Sequence, residues 1–514
     1  MLIKWIFMSL ACIYSRARVG LESPLVTVEV HLANGLPVFN IVGLPETSVR
    51  ESKDRVRSAI INCGYQFPAK RITINLAPAD LPKEGGRFDL PIALGILVAS
   101  EQLPNTDLSQ YEFAGELALS GELREIIGEI PMAIACAKAK RTLVIPKQNA
   151  EQASWVKQAN ILSIEHLSQL YPHFLKQRSL PLVSAKAVEH YQVPTSKDIA
   201  DVIGQPLAKR ALEISACGAH NLLFIGPPGT GKTMLASRLP GILPPMSESE
   251  ALEAAAIASI SHQKINHKSW LTRPFRAPHH TASSAALVGG GSQPQAGEIS
   301  LAHNGVLFLD ELPEFARKVL DVLREPMESA EVTISRAMYK QTFPAKFQLV
   351  AAMNPSPTGF YNDNRSTPEQ VLRYLNRLSG PFLDRIDIQI EVTRLPKGMW
   401  AKNDHNNESS AQIQKRVALC RELQLQRQGK ANAHLGSAET RIFCKLSADE
   451  HEFLELAVEK LGLSTRAHHK ILKIARTLAD MNSIEDIQHE HIIEALSYRA
   501  MDRLLRHLTD AVSF

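Results

Sequence analysis

The chain has 514 residues, a length that predicts about three domains. Its 45% hydrophobic and 21% charged residues are ordinary for a soluble globular protein, and its formal net charge of +4 permits a nucleic-acid partner without arguing for one. The six cysteines are scattered with no C-x-x-C pair, a pattern that excludes a disulfide framework and a paired-cysteine zinc site and favours a reducing, cytoplasmic location.

The N-terminal residues MLIKWIFMSLACIYS resemble a signal peptide only superficially. Arg16 and Arg18 follow the apolar run, there is no small-residue cleavage site, and the run is shorter than the roughly 20 residues that cross a bilayer. We interpret it as a first strand and consider Met8 as an alternative start. Because no other segment is apolar enough to span a membrane, we expect no membrane partner.

Four regions follow one another along the chain. Residues 1–175 alternate strand-like and helix-like segments, with strands expected at 26–30, 71–76 and 142–146 and helices at 49–62 and 91–100, which predicts one α/β domain. Residues 176–197 contain Pro181 and Pro194 and form a linker. A nucleotide-binding core occupies residues 198–395, and residues 396–514 are helical in pattern after a polar stretch at 402–410.

The core contains a phosphate-binding loop. The pattern G-x-x-x-x-G-K-[ST] is carried by Gly226, Pro227, Pro228, Gly229, Thr230, Gly231, Lys232 and Thr233. A buried strand at 221–225 precedes the loop and a helix at 233–238 follows it, so a chance glycine-rich turn is the weaker alternative. The backbone N–H groups would surround phosphate oxygens, Lys232 would reach the β and γ phosphates of ATP, and the Thr233 hydroxyl would bind Mg²⁺.

Two acids end a second apolar strand at 306–309. Asp310 is positioned to hold Mg²⁺ through water, and Glu311 to orient and polarise the attacking water. The alternative is that the two acids begin a helix, where its dipole favours negative charge.

A third apolar strand, 347–353, ends in Asn354, whose amide would contact the γ-phosphate and the water; the alternative is an Asn turn before a proline. Arg385 is a candidate arginine finger, a guanidinium that offsets transition-state charge. A structural ion pair with Asp384 or Asp387 is its alternative.

The helical region and the histidine pair leave two further alternatives open. Arg466 follows the predicted helix cap Ser464 and is a candidate second phosphate sensor or an ordinary surface arginine. For the pair His279 and His280, core packing or hydrogen bonding is favoured over a metal site.

Together these motifs, in this order, resemble the AAA+ ATPases, and Asp201–Gln205 fits their adenine-side motif through Val202 and Ile203. The chain most closely resembles the Mg-chelatase-like ComM (YifB-like) competence protein family. The strings RPFRAPHHTASSAALVGGGSQPQAGEISLAHNGVLFLDELPEF, RYLNRLSGPFLDRIDIQIEV and LSTRAHHKILKIARTLADM carry this resemblance in the core and lid, and residues 14–60 carry it near the N-terminus. It implies an α/β multidomain fold: a Lon-protease-like (ribosomal S5 domain 2-like) N-terminal domain, an AAA+ core with a parallel sheet, and a helical C-terminal lid.

The resemblance also implies an assembly and a DNA-contacting hairpin. ATP would bind between subunits of a hexameric ring, and Arg385 would act in trans on a neighbour's ATP. An insert is expected around residues 286–292 and a hairpin at 332–343. In related helicases such loops contact DNA, and Arg336 and Lys340 suit phosphate contact. A solvated hairpin tip is the alternative.

By resemblance, the function is ATP-driven branch migration of DNA in homologous recombination during natural transformation. A chelatase motor subunit is one alternative, although the chain has no D-x-S-x-S motif and carries an extra N-terminal domain. An AAA+ protein remodeller is the other, kept open by Tyr339 near the hairpin tip.

The chain departs from the family pattern at two places. Residues 81–90 offer no serine nucleophile and residues 128–131 no lysine, so we expect the Lon-like domain to be proteolytically inactive and to serve assembly or DNA contact. Residues 354–367 lack the cysteines that many relatives carry after the Asn-Pro pair, so we expect no zinc there.

Overall fold

The computed structural model describes residues 10–104, 107–184, 197–261, 263, 265–266, 270–291, 294–335, 340–360, 365–396 and 407–512. Two compact units are present: the first comprises Met1–Tyr191 and Ala255–Ser269, the second Gln192–Ala254 and Trp270–Phe514. Within the described ranges, no helix is both long enough and apolar enough to cross a membrane. Met8 lies outside them.

The first unit contains two four-stranded sheets and the helices that cover them. Its elements in chain order are β1 (Leu10–Arg16), β2 (Leu25–Ala33), β3 (Val38–Val42), α1 (Thr47–Arg50), α2 (Ser52–Asn62), β4 (Arg71–Ala77), α3 (Asp89–Ala99), β5 (Tyr111–Phe113), β6 (Glu116–Leu117), β7 (Leu123–Arg124), α4 (Glu129–Lys138), β8 (Thr142–Pro146), α5 (Lys147–Ala153), β9 (Asn160–Ile164), α6 (Leu170–Phe174) and β10 (Leu182–Val183).

One sheet has the order β1-β2-β4-β3, and the other has the order β10-β9-β8-β5. Every second residue of β2 is buried, as expected for a strand with one face on a core, and the almost wholly buried α3 packs against β1 and β2. The strands expected at 26–30, 71–76 and 142–146 are confirmed as β2, β4 and β8. The helical pattern expected at 49–62 is confirmed as α1 and α2, with Glu51 alone between them, and the helix expected at 91–100 is confirmed as α3.

The second unit contains the predicted nucleotide core and the C-terminal helices. Its elements are α7 (Pro206–Gly218), β11 (Leu222–Ile225), α8 (Lys232–Ala236), α9 (Leu239–Ile242), α10 (Glu248–Ile260, which runs on into the first unit), β12 (Phe275–Arg276), α11 (Ser284–Val288), β13 (Gly289–Gly290), β14 (Gln295–Ala296), α12 (Glu298–Leu301), β15 (Val306–Leu309), α13 (Arg317–Val322), α14 (Pro326–Ser329), β16 (Glu331–Ser335), β17 (Lys340–Pro344), β18 (Gln348–Met353), α15 (Pro368–Leu375), α16 (Gly380–Leu383), β19 (Ile388–Glu391), α17 (Ser410–Gln428), α18 (Ser437–Phe443), α19 (Ala448–Lys460), α20 (Thr465–Met481), α21 (His489–Ser497) and α22 (Ala500–Val512).

A five-stranded parallel sheet of order β12-β15-β18-β11-β19 forms the centre of this unit, which confirms the predicted parallel core. All residues of β11, β15 and β18 are buried, as continuous apolar runs between two helical layers should be. Since the strands are parallel, the residues that follow β11, β15 and β18 emerge at the same edge of the sheet. That edge carries the phosphate loop, Asp310 and Asn354.

The C-terminal region is helical, as predicted, and α17 and α20 pack against α7 within one hydrophobic core. The predicted hairpin is confirmed as β16 and β17, which pair in antiparallel register from Glu331–Pro344 to Ser335–Lys340. The predicted insert is occupied by α11 and by the short antiparallel pair β13–β14.

Candidate ATP site

The phosphate loop connects β11 to α8 and depends on glycine at two positions. Gly229 and Gly231 have φ angles of 77° and 89°, in the left-handed region where a side chain would be strained. No heavy atom lies within 4 Å of a Cβ placed at either residue, so the space beside them is open. The loop therefore leaves room for a phosphate beside its backbone.

Lys232 is held over this loop by three oxygen atoms. Its Nζ donates hydrogen bonds to the carbonyl oxygens of Gly226 (2.6 Å) and Pro227 (2.9 Å) and to Oδ1 of Asn354 (3.2 Å). Burial lowers the pKa of Lys232, and the charge of Asp310 opposes that shift. The ammonium group therefore lies against the phosphate loop. Asn354 lies beside it, as expected for residues that follow neighbouring parallel strands.

Asp310 contacts the residue expected to share a metal ion with it. The Thr233 hydroxyl donates to Oδ2 of Asp310 at 2.6 Å, and the backbone N–H of Glu311 donates to Oδ1 at 2.9 Å. A hydroxyl and a carboxylate are the hard oxygen ligands that Mg²⁺ prefers, so this donor pair fits the ion. Glu311 precedes a short 3-10 turn but makes no side-chain capping hydrogen bond to it, which disfavours the helix-cap alternative for this carboxylate.

Sequence reasoning did not predict that His280 lies at this site. Its Nδ1 is 3.1 Å from Oε2 of Glu311, whereas Nδ1 of the adjacent His279 is 2.9 Å from the hydroxyl of Thr281. Both rings are partly exposed, so the core-packing alternative is wrong and the hydrogen-bonding one is confirmed. β12 lies beside β15 in the parallel sheet, so residues that follow the two strands emerge at the same edge. A polar residue shortly after β12 was therefore the sequence signal that could have placed His280 near Glu311.

These groups border one cavity of about 360 Å³. It is lined by Lys197, Thr233, Ser237, Phe275, Ala277, Pro278, His279, His280, Phe308, Asp310 and Glu311. The lining combines the predicted metal ligands with aromatic and imidazole rings.

The predicted adenine-side segment lies against the phosphate loop. Val202 is buried and Ile203 is half-buried. The amide of Gln205 donates to the carbonyl oxygen of Thr393 at 2.7 Å and approaches that of Thr230 at 3.5 Å. This contact connects the start of the core to the loop.

Arg385 is held away from the loop of its own chain. Its guanidinium donates to the carbonyl oxygens of Arg324 (3.0 Å) and Pro381 (2.6 Å) and lies 2.6 Å from a carboxylate oxygen of Glu328. The expected alternative, a pair with Asp384 or Asp387, is therefore wrong, because α14 supplies the acid instead.

Arg466 stands at the first turn of α20. Ser464 caps this helix as predicted, accepting from the backbone of Ala467 at 3.2 Å. The exposed Arg466 approaches Asp384 at 4.0 Å, which places a lid arginine beside the segment that carries Arg385.

A buried ion pair joins the lid helix α20 to the core. Nζ of Lys470 lies 2.8 Å from Asp387, which also accepts from the backbone of Asn221 at 2.9 Å. His220 bridges the same elements by a 2.8 Å hydrogen bond to Thr477. Burial by itself would raise the pKa of Asp387, but Lys470 and His220 outweigh it and hold that pKa far below its ordinary value.

Two predicted features, the hairpin tip and the segment without cysteines, lie partly outside the described ranges. Lys340 is the exposed first residue of β17, whereas Arg336 and Tyr339 are not among the described residues. The zinc prediction stays a prediction, because residues 361–364 lie outside them too. Among described residues there is no group of three or more histidine, cysteine or acidic side chains arranged to hold a metal ion.

In the first unit, two buried carboxyls lie in the segments 81–90 and 128–131. Asp89 pairs with Arg55 at 2.7 Å, and Glu129 accepts a 3.4 Å hydrogen bond from Asn149. Burial raises the pKa of Asp89 to about 6 and that of Glu129 to about 7.

Three family models match the chain: Magnesium chelatase, subunit ChlI, over residues 198–399; Subunit ChlI of Mg-chelatase over 28–149; and Magnesium chelatase, subunit ChlI C-terminal, over 407–499. The chain is 56% identical to Competence protein ComM of Haemophilus influenzae over 98% of its own length and 100% of that relative. It is 54% identical to the uncharacterized protein YifB of Escherichia coli over 98% and 99%. An uncharacterized protein of Mycobacterium tuberculosis is 38% identical over 96% and 99%.

Proposed function

The chain belongs to the Mg-chelatase-like ComM and YifB family of AAA+ ATPases, and from this premise we propose that it is an ATP-driven motor that moves branched DNA during homologous recombination in natural transformation. The observation that carries the proposal is the meeting of Lys232, Asp310, Glu311 and Asn354 at one sheet edge, in a chain that matches a competence protein along its whole length.

Membership in this family implies the use of ATP and Mg²⁺. When phosphates enter the loop, Lys232 exchanges its contacts with Gly226 and Pro227 for phosphate oxygens. Thr233 and Asp310 would hold Mg²⁺, and the ion would offset charge that develops on the phosphates. Glu311 orients the attacking water, and Asn354 contacts the γ-phosphate and that water.

A DNA-contacting role for the β16–β17 hairpin is supported by its buried inner face and its exposed basic residue near the tip. Val332 and Ile334 are buried, and the hydroxyls of Thr333 and Thr342 lie 3.0 Å apart across the strands. One face of the hairpin is therefore anchored to the unit, while Lys340 near its tip is exposed. Lys340, with Arg336, would contact DNA phosphates independently of base sequence.

The motor works as a hexameric ring in which Arg385 completes a neighbour's ATP site. The contacts of Arg385 support this role because they lie between α13 and α14, on α14 and on α16 rather than on the 226–233 loop. Arg466, beside Asp384, is the second sensor and reports the nucleotide state to the lid.

The proposal includes a domain organisation and a cytoplasmic location. A proteolytically inactive Lon-like domain comprises residues 1–175, a linker 176–197, the ATPase core 198–395 and the lid 396–514. The buried Asp89 and Glu129, in the segments where a serine and a lysine would be needed, support the inactivity. The motor is cytoplasmic and needs no zinc.

The test is a junction assay with the full chain. A labelled four-way or three-strand DNA junction is mixed with wild type, Lys232→Ala or Glu311→Gln in ATP and Mg²⁺, and product strands are followed. The proposal expects product with wild type and none with either variant. ATP hydrolysis without junction movement and without stimulation by DNA would overturn it. Stimulation by a porphyrin-binding subunit or by unfolded protein would instead support the chelatase or remodeller alternative.

A further inference from the structure

A second candidate site lies in the first unit, on the edge strand β3. We call it the β3 groove: a cavity of about 510 Å³ lined by Phe39, Asn40, Ile41, Val42, Arg50, Lys53, Arg71 and Thr73. Among the described residues, strand β3 pairs with β4 alone, in parallel register from Val38–Arg71 to Val42–Asn75, so its other edge has no strand partner there. None of these residues belongs to the ATP site.

The charged residues of the groove are all basic. Arg50, Lys53 and Arg71 are exposed, and the described part of the chain shows no ion pair for any of them. The acids nearest in sequence, Glu51 and Asp54, do not line the groove. By contrast, Arg16 and Arg55 of the same unit are paired with buried acids. Three cations without neutralising partners favour a polyanion as the occupant.

An aromatic floor adjoins these cations. The ring of Phe39 stacks on Phe67 with centroids 6.4 Å apart and an interplanar angle of 21°, and the guanidinium of Arg57 lies 5.5 Å from the Phe67 ring centroid. Phe39 is opposite Ile72 in the strand register and packs partly against the hydrophobic core, and the remaining half-exposed part of the residue lines the groove. Leu36 and Leu44, at the two ends of β3, are 84% and 70% exposed.

Basic side chains beside an aromatic platform are the combination that binds single-stranded nucleic acid, because phosphates pair with the cations while unstacked bases lie on the rings. A duplex would use the cations but not the rings, since its bases are already stacked. An extended acidic peptide pairing with β3 would use the open strand edge but would leave the aromatic floor without a role.

We propose that the β3 groove binds single-stranded DNA, with phosphates on Arg50, Lys53 and Arg71 and a base stacked on Phe39. The inference rests on the proposed function only in taking DNA as the partner. The first unit would then carry a binding site for single-stranded DNA whose residues belong neither to the ATP site nor to the β16–β17 hairpin.

The test measures binding of the full chain to a fluorescent oligothymidylate of about 20 nucleotides, which is longer than the roughly 4–16 nucleotides of a typical single-strand site. The charge variant is Arg50→Glu/Lys53→Glu. The ring variant is Phe39→Leu, which keeps apolar bulk but removes the stacking surface. The matched control is Lys138→Glu, an exposed cation of α4 outside the groove. The ATPase rate without DNA should be equal in all four proteins.

The charge variant should bind at least tenfold more weakly, and its plot of log affinity against log salt should be shallower by about 1.4, the loss of two phosphate contacts. Phe39→Leu should lower affinity at least about fivefold, the equivalent of 1 kcal/mol of lost stacking. Lys138→Glu should match wild type. Wild-type affinity and salt slope in both groove variants would overturn the proposal, as would an equal loss of duplex binding in Phe39→Leu or preference for an acidic peptide.

The junction assay separates this inference from the proposed function. Groove variants that bind single strands normally while wild type moves junctions would overturn the groove alone. A wild type that binds single strands through the groove but moves no junction would overturn the motor and leave the groove standing.

Discussion

Nδ1 of His280 lies 3.1 Å from Oε2 of Glu311, the carboxylate positioned to activate water in the candidate ATP site. The two residues follow neighbouring parallel strands, β12 and β15, so the sheet itself brings the imidazole to the acid. Over half of the Glu311 side chain is exposed, and the described structure shows no other side-chain contact for its carboxylate. His280 is therefore positioned to fix the orientation of this largely exposed carboxylate.

Replacement of His280 by alanine should lower kcat for ATP hydrolysis by about tenfold while leaving KM for ATP within about twofold, because the orientation of Glu311 is lost but the phosphate contacts stay. Steady-state ATPase kinetics measure both constants. His279→Ala is the matched control, since that ring pairs with Thr281 rather than with Glu311. Glu311→Gln should cost more, about 10²–10⁴ in kcat. An unchanged kcat in His280→Ala would show that the contact has no catalytic consequence.

Arg385→Ala should reduce ATP hydrolysis strongly, by about 10³–10⁵-fold where an arginine finger operates, without weakening ATP binding to the same chain. The sharper measurement mixes Arg385→Ala with Lys232→Ala. If the arginine acts on a neighbour, the first variant supplies an intact loop and the second an intact arginine, so mixed rings regain activity that neither variant has alone. A mixture no more active than its components would contradict action in trans.

Lys470→Met should destabilise the second unit by roughly 3–5 kcal/mol, because it leaves the buried Asp387 carboxylate without its lysine partner. Urea unfolding followed by circular dichroism measures the free energy of unfolding. Lys415→Met, at an exposed position on α17, is the control and should change it by less than about 0.5 kcal/mol. The double variant Lys470→Met/Asp387→Asn should recover part of the loss, and a double variant as unstable as the sum of both single changes would contradict the pairing.

The first unit should become more stable as the pH falls from 8 to 6. Burial raises the pKa of folded Glu129 from 4.5 to about 7, so the folded state takes up a proton in this range while the unfolded chain stays ionised. The stabilisation is complete below the unfolded pKa and is lost as pH rises through the folded one. The change between pH 8 and 6 should be about 1 kcal/mol. Thermal melts of wild type and Glu129→Gln measure it, and the glutamine variant should lose most of this pH dependence and keep the smaller part that Asp89, with a pKa raised to about 6, contributes. An equal dependence in both proteins would assign it to other groups.

The parts of the ATP site that could be predicted from the sequence are those formed by residues close together in the chain. The phosphate loop, the acids after β15 and Asn354 after β18 were predicted because each motif is a short run whose backbone geometry and strand periodicity are set by its own residues. Their meeting at one edge followed from a general property of parallel strands rather than from any measured contact.

The contacts that sequence reasoning missed join residues far apart in the chain. Glu328 rather than Asp384 or Asp387 pairs with Arg385, and His280 reaches Glu311, because strand order and helix packing decide which side chains meet. The same holds for the β3 groove, where α1, α2 and β4 bring Arg50, Lys53 and Arg71 to one edge strand.

The sequence by itself determined the ATPase family, the parallel core and the positions of the phosphate loop and its acids, since short-range periodicity and motif spacing are properties of neighbouring residues. Only the tertiary structure decided the partners of Glu311, Arg385 and Asp387 and the basic, aromatic lining of the β3 groove. The physical reason is that pairing between distant residues depends on how buried surfaces pack, and a local pattern does not specify that packing.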